Sequence, residues 1–455
     1  MDKKDKIAIL GFGLEGRAVL DYLIAHDFHE ITVCDQNVEL EDEMPDGVSV
    51  RLGPHYLDNL SDFDIIFRSP GIKYLDSKVQ AAKAAGAKVT SSTAFFLENA
   101  KCDVIGVTGT KGKGTTCTLI YEILKKAGKD AYLGGNIGSP AISFLSEISD
   151  DSLVVLELSS FQLQDLEISP KYAVLLNTTT DHLDYHADRN EYLAAKESLL
   201  SHQDKDSIAV LNKDYEYISH YESLVKGKKL LVSREEKVEN GAYVMGDEIY
   251  YSVDGKSEDI VDVEEIALIG SHNLENIMPA IVICKELGVD DDDIEDVVEE
   301  FEGLPHRLEF VKEVNGVKYY NDSFSTTAET SMAAVDSFDE DTILIAGGYD
   351  KGLDYEQWAL KILTKPSLKT VILIGDTAEM MEQAITEAEE KLGEAEGSPT
   401  KVLRRPDLEE AVLEAFALAE AGGVVVMSPA AASFDQFENY KKRGEAFRAA
   451  VKKLH

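Results

Sequence analysis

Short runs of β-branched and aliphatic residues alternate along most of this chain with longer stretches whose apolar positions recur at helical spacing. In the first hundred residues the pattern predicts strands over 6–10, 30–35 and 64–68, a glycine turn over 11–16 and a helix over 17–26. A second series predicts strands over 103–108, 153–158, 172–177 and 208–211, and a helix from the turn after residue 108 to Lys126. Residues 231–269 read as polar, turn-rich β structure and 273–287 as a helix; the acidic run 290–300 reads as the start and solvated face of another helix. A third series predicts strands over 318–320, 342–346, 370–374 and 424–427, separated by helices. Such alternation implies parallel sheets with helices on their faces. The expectation is three α/β units in series, with boundaries near residues 98 and 304.

Composition narrows the class. A chain of 455 residues exceeds what one hydrophobic core organises, and 44% hydrophobic with 29% charged residues is ordinary for globular proteins. Asp and Glu number 85 against 45 Lys and Arg, a formal charge of −40. So acidic a surface repels a phosphate backbone and argues against nucleic acid as a partner. Any anionic ligand must then be held by local features: helix N-termini, backbone nests and individual Lys or Arg side chains. Cys34, Cys102, Cys117 and Cys284 have no metal-like spacing, which points to a reduced cytosolic compartment. With no signal peptide and no run of about 18 apolar residues, a soluble cytoplasmic protein without a membrane partner is expected.

The chemistry concentrates at strand ends. Gly106-Val107-Thr108-Gly109-Thr110-Lys111-Gly112-Lys113-Gly114-Thr115-Thr116 lies between a predicted strand and a predicted helix, the setting a phosphate cradle requires. Glycines let backbone N–H groups turn inward, Lys113 can reach outer phosphates and a hydroxyl can hold Mg²⁺. Gly106 stands one residue too early for the strict G-x4-GK-[ST] form, and a glycine-rich surface turn is the bland alternative. Glu157 ends one predicted strand, while Asp181 and His182 follow another; in a parallel sheet, ligands gather at these ends. A carboxylate with a histidine suits Mg²⁺, although each alone is more often a cap or surface residue. Near the start, Gly11-Phe12-Gly13-Leu14-Glu15-Gly16 with Asp35 resembles a dinucleotide fingerprint, which alone favours an NAD-dependent dehydrogenase.

Residues 107–115 resemble the ATP loop shared by Mur ligases and folylpolyglutamate synthases. Most Mur ligases have Ser or Thr where Gly114 stands, which moves the candidate Mg²⁺-linked hydroxyl to Thr115. Further stretches follow the Mur ligase order: Gly134-Gly135-Asn136-Ile137-Gly138, Leu156-Glu157-Leu158-Ser159-Ser160-Phe161-Gln162, Thr180-Asp181-His182-Leu183-Asp184 and Tyr192-Leu193-Ala194-Ala195-Lys196. Gly270-Ser271-His272-Asn273 and Gly303-Leu304-Pro305-His306-Arg307 fit as well. The N-terminal glycine loop and Ser69-Pro70-Gly71-Ile72 resemble that family's UDP-holding first domain, which the folate enzymes lack. Asn321-Asp322-Ser323, Gly347-Gly348-Tyr349-Asp350-Lys351-Gly352 and the stretch from Ser428 through Tyr440 to Phe447 resemble the glutamate-adding branch.

The resemblance covers nearly the whole chain. It implies an ATP-dependent, ADP-forming acid–amino-acid ligase that adds D-glutamate to UDP-N-acetylmuramoyl-L-alanine through an acyl phosphate, as a monomer, in peptidoglycan precursor synthesis. The implied domains are a Rossmann-like UDP-binding domain (1–98), a central P-loop-type ATPase domain (99–304) and a Rossmann-like α/β domain for the amino acid (305–455). Around ATP it implies Gly109, Thr110, Lys111, Gly112, Lys113, Gly114, Thr115, Thr116, Asn273, Arg307 and Asp322. Around the UDP substrate it implies Gly13, Leu14, Glu15, Asp35, Ser69, Gly71, Asn136 and His182. Thr326, Lys351, Ser433 and Tyr440 would surround the amino acid. Thr115, Glu157, His182 and Lys196, the last as a carbamate, would hold a pair of Mg²⁺ ions. Lys113, His182, Lys196, Asp322 and Lys351 would carry catalysis. Without the flanking motifs, Lys196 would read as an exposed helix lysine.

One stretch departs from the pattern. Where the glutamate ligases read Asp-Ser-Lys-x-Thr-Asn, this chain has Asp322-Ser323-Phe324-Ser325-Thr326-Thr327, an aromatic in place of a cation. The alternatives are a folylpolyglutamate synthase-like ligase, favoured by Gly114 and opposed by the first domain, and a non-catalytic nucleotide-binding relative.

Overall fold

The computed structural model describes residues 1–179, 185–268, 270–392 and 400–455. The first sheet holds β1 (Ile7–Leu10), β2 (Ile31–Asp35), β3 (Ser49–Leu52), β4 (Ile65–Arg68) and β5 (Lys88–Thr90), ordered β3-β2-β1-β4-β5. Every pairing in it is parallel. The chain order reverses at β1, so the loops after β1 and β4 flank the crevice where such sheets take ligands. β1 is buried at all four positions, whereas β3 has no buried position, which is why only the inner strands carry a clear apolar signal. The helix after β1, Leu14–Ala25, begins three residues earlier than the pattern predicts. Gly16 lies inside its first turn, where a Cβ would collide with the Gly11 carbonyl oxygen. The glycine therefore marks close packing rather than a longer turn.

The second sheet holds β6 (Asp103–Thr108), β7 (Ala131–Gly135), β8 (Leu153–Glu157), β9 (Tyr172–Leu175), β10 (Ile208–Asn212), β11 (Lys228–Ser233), β12 (Gly241–Met245), β13 (Glu248–Val253) and β14 (Lys256–Asp262). Their order is β14-β13-β12-β11-β10-β9-β6-β8-β7. Pairing is parallel from β7 to β12, then antiparallel through two hairpins. The inner strands are apolar on both faces, and Val154, Leu156, Leu175, Leu199 and Leu211 share one core. The helix Asp291–Glu300 buries only Ile294 and Val298, so its acidic run is a solvated face, as its pattern predicts.

The third sheet, β15 (Glu309–Val314), β16 (Val317–Asn321), β17 (Thr342–Gly347), β18 (Leu368–Ile374), β19 (Lys401–Arg404) and β20 (Val424–Met427), runs β15-β16-β20-β17-β18-β19. Only the β15–β16 hairpin is antiparallel. Trp358, Ile362 and Leu363 fill the core on one face, and Phe447 and Val451 that on the other. Residues 1–267 with 271–301 form one compact unit and 268–270 with 302–455 another. Among the described residues no helix is long and apolar enough to cross a membrane, and the four cysteines form no disulfide.

Candidate active site

The loop after β6 has the shape its glycines allow. Gly112 takes φ +83°, and a Cβ there would strike the Asn276 side-chain oxygen, so the loop passes directly over that asparagine. The helix Lys113–Lys126 starts at once, leaving its first N–H groups as an anion site. Lys113 Nζ curls back onto the loop, donating to the carbonyls of Gly109 at 3.1 Å and Thr110 at 3.0 Å. Thr110 N–H donates to the Asn177 carbonyl at 2.7 Å, and its hydroxyl lies 2.8 Å from the Tyr192 hydroxyl. Thr115 and Thr116 are buried, and Thr116 donates to the Asn276 carbonyl at 3.0 Å. Asn276 in turn donates to Asn273 Oδ1 at 2.8 Å, which ties the loop to the helix Leu274–Glu286. Lys111 stays exposed at the crest.

Glu157 ends β8, paired in register with Val107, and its buried carboxylate accepts from the Asn136 side chain at 2.7 Å. Asn136 N–H donates to the Glu157 carbonyl at 2.9 Å, so this asparagine is braced at both ends. Lys196 is not an exposed helix lysine: its relative exposure is 1%. Its Nζ donates to the Gly109 carbonyl at 2.8 Å and lies 3.4 Å from Thr108 Oγ1, directly beneath the loop. As an ammonium it is a donor and no metal ligand; only a carbamate would turn it into one. Asp181 and His182 lie outside the described residues. Among the described residues no cluster of three or more His, Cys, Asp and Glu side chains is arranged to hold a metal. A Mg²⁺ that keeps its waters and takes one carboxylate plus phosphate oxygens fits the single buried Glu157.

In the first sheet, Asp35 anchors the glycine loop, accepting from Phe12 N–H at 2.6 Å and Asn37 N–H at 2.8 Å. Ser69 donates to the Gly11 carbonyl at 2.7 Å, which joins the loops after β1 and β4. Gly13, Leu14 and Gly71 are exposed beside them. The Glu15 side chain turns away, accepting from Gln162 Nε2 at 2.7 Å while its other oxygen is buried without a hydrogen bond. Burial pushes the Glu15 carboxyl up to about 7, against the pull of the Gln162 hydrogen bond and of Arg68. Arg68, at the end of β4, is fully buried against Asp165 at 2.8 Å and donates to the carbonyls of Phe161 and Ile72. Neither Arg68, Asp165 nor Gln162 stands out in the sequence as a site residue. The one available signal is a cation closing the otherwise apolar strand Ile65–Arg68.

In the second unit, Asp322 follows β16 and accepts from Leu308 N–H at 3.2 Å and the Ser428 hydroxyl at 2.6 Å. Burial pushes its carboxyl up to about 6, although Ser325, Ser428, the Leu308 N–H and Arg307 all favour the charged form. His306 and Leu308, on either side of Arg307, both take positive φ. The Arg307 guanidinium lies 3.8 Å from the Phe324 ring centre, and the Phe324 ring stands edge-on to Tyr440 at 5.1 Å. Tyr440 opens the helix Tyr440–Lys452, whose first turn is capped by Asn439. Arg443, one turn further on, is 1% exposed and draws the site's loops together. It donates to Ser323 Oγ at 3.0 Å, Ala431 O at 3.0 Å and Ala432 O at 2.9 Å. Tyr349 N–H reaches the Ala432 carbonyl at 2.9 Å, which brings the loop of Lys351 beside Ser433. Lys351 is exposed over the Phe434 ring at 5.4 Å, Ser433 is buried and Thr326 is half-buried. Nothing in the sequence marks Arg443 for a role; its burial and its hydrogen bonds reveal one.

Comparison with known proteins assigns all three regions to one group. Residues 5–91 match the Mur ligase MurD-like N-terminal domain, 107–284 the Mur ligase middle domain and 306–431 the Mur ligase glutamate ligase domain. The UDP-N-acetylmuramoylalanine–D-glutamate ligase of Acetivibrio thermocellus is 39% identical over 99% of this chain and 97% of that protein. The ligase of the same name from Clostridium botulinum strain Langeland is 36% identical over the same shares. Among solved structures, MurF ligase from Thermotoga maritima in complex with ADP superposes with a TM-score of 0.60 at 17% identity, over 98% of this chain and 94% of that one. UDP-N-acetylmuramate–alanine ligase MurC from Thermotoga maritima gives 0.59 at 18% identity, over 98% and 99%. At such identities the superpositions speak for the fold.

Proposed function

Since the chain belongs to the Mur ligase family, we propose that it is an ATP-dependent, ADP-forming ligase that adds D-glutamate to UDP-N-acetylmuramoyl-L-alanine in peptidoglycan precursor synthesis. The observation that carries this reading is the 39% identity, over 99% of the chain, to a relative named for that substrate pair. The match of residues 5–91 to a MurD-like first domain removes the folate-type alternative, which required that domain to be missing.

In the reaction, the substrate's terminal carboxylate attacks the γ-phosphorus of ATP, the bond to ADP breaks and an acyl phosphate forms. The glutamate amine then attacks the acyl carbon, and the tetrahedral intermediate expels phosphate and gives up a proton to leave the amide. The chain's work is positioning and charge neutralisation. The loop of residues 109–116 cradles phosphate oxygens with the N–H groups at the start of its helix, and Lys113 exchanges its two loop carbonyls for the transferring phosphoryl group. Asn273 takes the adenine side, and Arg307 meets phosphate oxygens with its planar fork. Asp322 holds the segment that carries Arg307 by accepting from Leu308 N–H. Gly13, Leu14, Ser69, Gly71 and Asn136 receive the UDP substrate. Asp35 faces the uracil while bracing the glycine loop, and Glu15 serves through its place in the first turn of its helix. Thr326, Lys351, Ser433 and Tyr440 bind the amino acid, with Lys351 countering a carboxylate.

Glu157 and Thr115 are the residues that would hold Mg²⁺, joined by Lys196 if it carries a carbamate; an ion bound there would supply positive charge to offset that of the transferring phosphoryl group. A metal or orienting role for His182 rests on the family resemblance alone. We assign residues 1–98 to the UDP substrate, 99–304 to ATP and 305–455 to the amino acid, in a cytoplasmic monomer.

The test is phosphate release from ATP with UDP-N-acetylmuramoyl-L-alanine and Mg²⁺, comparing D-glutamate, L-glutamate and no amino acid. Release that depends on D-glutamate supports the reading; equal rates in all three overturn it.

A further inference from the structure

Phe324 stands where the resembling ligases carry a cation, and its surroundings give the aromatic a task of its own. Four residues form one continuous stack: the Arg307 guanidinium over the Phe324 face at 3.8 Å, the Phe324 ring edge-on to Tyr440 at 5.1 Å and 88°, and Tyr440 edge-on to His306 at 6.1 Å and 84°. The backbone locks the same group. Phe324 N–H donates to the His306 carbonyl at 2.9 Å, and His306 N–H donates to Glu309 Oε2 at 2.9 Å. Asn321 Nδ2 reaches both His306 Nδ1 and Glu309 Oε2 at 2.9 Å. The segment bearing Arg307 passes through two left-handed non-glycine residues, His306 at φ +67° and Leu308 at φ +45°. Such a backbone persists only where its surroundings hold it.

A lysine at 324 would face the Arg307 guanidinium as a like charge, whereas an aromatic face attracts it through the ring quadrupole. Phe324 is 37% exposed, and its ring meets the Arg307 cation on its face and the Tyr440 ring edge-on.

We propose that Phe324 is a positioning residue for the ligation reaction, a platform that sets the direction of Arg307 and couples it to Tyr440. The proposal rests on the ligase reading, in which Arg307 meets phosphate and Tyr440 the amino acid. A guanidinium aimed at charge that develops during phosphoryl transfer acts mainly on kcat, and a misaimed one is felt there first.

The experiment is a double-mutant cycle on the full chain, read by glutamate-dependent phosphate release. F324L is expected to lower kcat about fivefold to tenfold, the size of one cation–π contact with an aromatic pair, while the KM for the UDP substrate stays within about twofold. F324Y and F324W, which keep an aromatic face, are expected to recover most of the rate. In an R307A background F324L should cost little more, because the ring acts through the cation. Equal losses from F324L in the parent and R307A backgrounds would overturn the proposal, as would F324Y behaving like F324L. A parent enzyme that releases no glutamate-dependent phosphate overturns the ligase reading and the positioning role together. An active parent matched by its F324L variant overturns the positioning role alone.

Discussion

Gln162 donates its side-chain amide to Glu15 Oε1 at 2.7 Å, across 147 residues of sequence. The bond joins the helix after β1 to the short helix Ser160–Leu163 after β8, and with Arg68 and Asp165 it makes the polar seam between the first two sheets. A carboxyl held there with one oxygen unbonded is costly when charged.

That cost sets a pH dependence. Burial raises the Glu15 pKa from 4.5 to about 7, so the folded state binds this proton more tightly than the unfolded chain. Its contribution to stability is fully present below about pH 4.5 and lost as the pH rises through 7, by at most about 3 kcal/mol. Urea unfolding at pH 5, 6, 7 and 8 should show E15Q losing less stability than the parent across this range. Parallel profiles would count against the buried carboxyl.

The Arg68–Asp165 pair is the strongest candidate for a single-residue stability defect. Both side chains are almost fully buried, so removing one partner strands the other charge. R68A or D165A should lose about 3–5 kcal/mol, while R68L/D165L should recover much of it. Chemical denaturation of the three variants decides; a double variant as unstable as the sum of the singles would contradict the pairing argument.

K113A should keep its fold, since Lys113 is half-exposed and its Nζ donates to two carbonyls of its own loop. Its turnover should fall about a thousandfold, the scale of losing a donor aimed at transition-state charge. Circular dichroism with phosphate-release rates separates the two effects, and near-normal turnover would remove Lys113 from the mechanism.

Lys196 offers a chemical test. An enzyme equilibrated with ¹³C-bicarbonate should show a carbamate carbon resonance that K196A lacks, and stripping CO₂ or adding EDTA should each suppress turnover. Full activity in CO₂-free buffer, with no such resonance, would leave Lys196 as a buried prop beneath the loop, bonded to the Gly109 carbonyl at 2.8 Å.

Inner strands such as Asp103–Thr108, Ile208–Asn212 and Val424–Met427 were readable to within a residue, because burial on both faces gives an uninterrupted apolar run. Edge strands escaped the reading. Ser49–Leu52, Lys401–Arg404 and Glu309–Val314 mix polar and apolar residues because one side faces solvent, and short polar strands look like loops. Ala131–Gly135 carries no predicted strand either, because it ends on two glycines, which favour strands poorly, although Gly135 sits beside the Glu157 backbone.

Sequence alone determined the α/β class, the glycine loop with Lys113, the carboxylate ending β8 and the full-length family likeness. All of these are carried by residues contiguous in the chain or by local periodicity. Only the tertiary structure decided that Lys196 is buried beneath the loop, that Glu15 turns from the glycine loop toward Gln162, and that Arg443 gathers the loops around Ser323. The Arg68–Asp165, Arg443–Ser323 and Glu15–Gln162 contacts span 97, 120 and 147 residues. Whether a charged side chain ends in water or in a sealed polar seam depends on which distant segments fold against it, and no local pattern of residues encodes that.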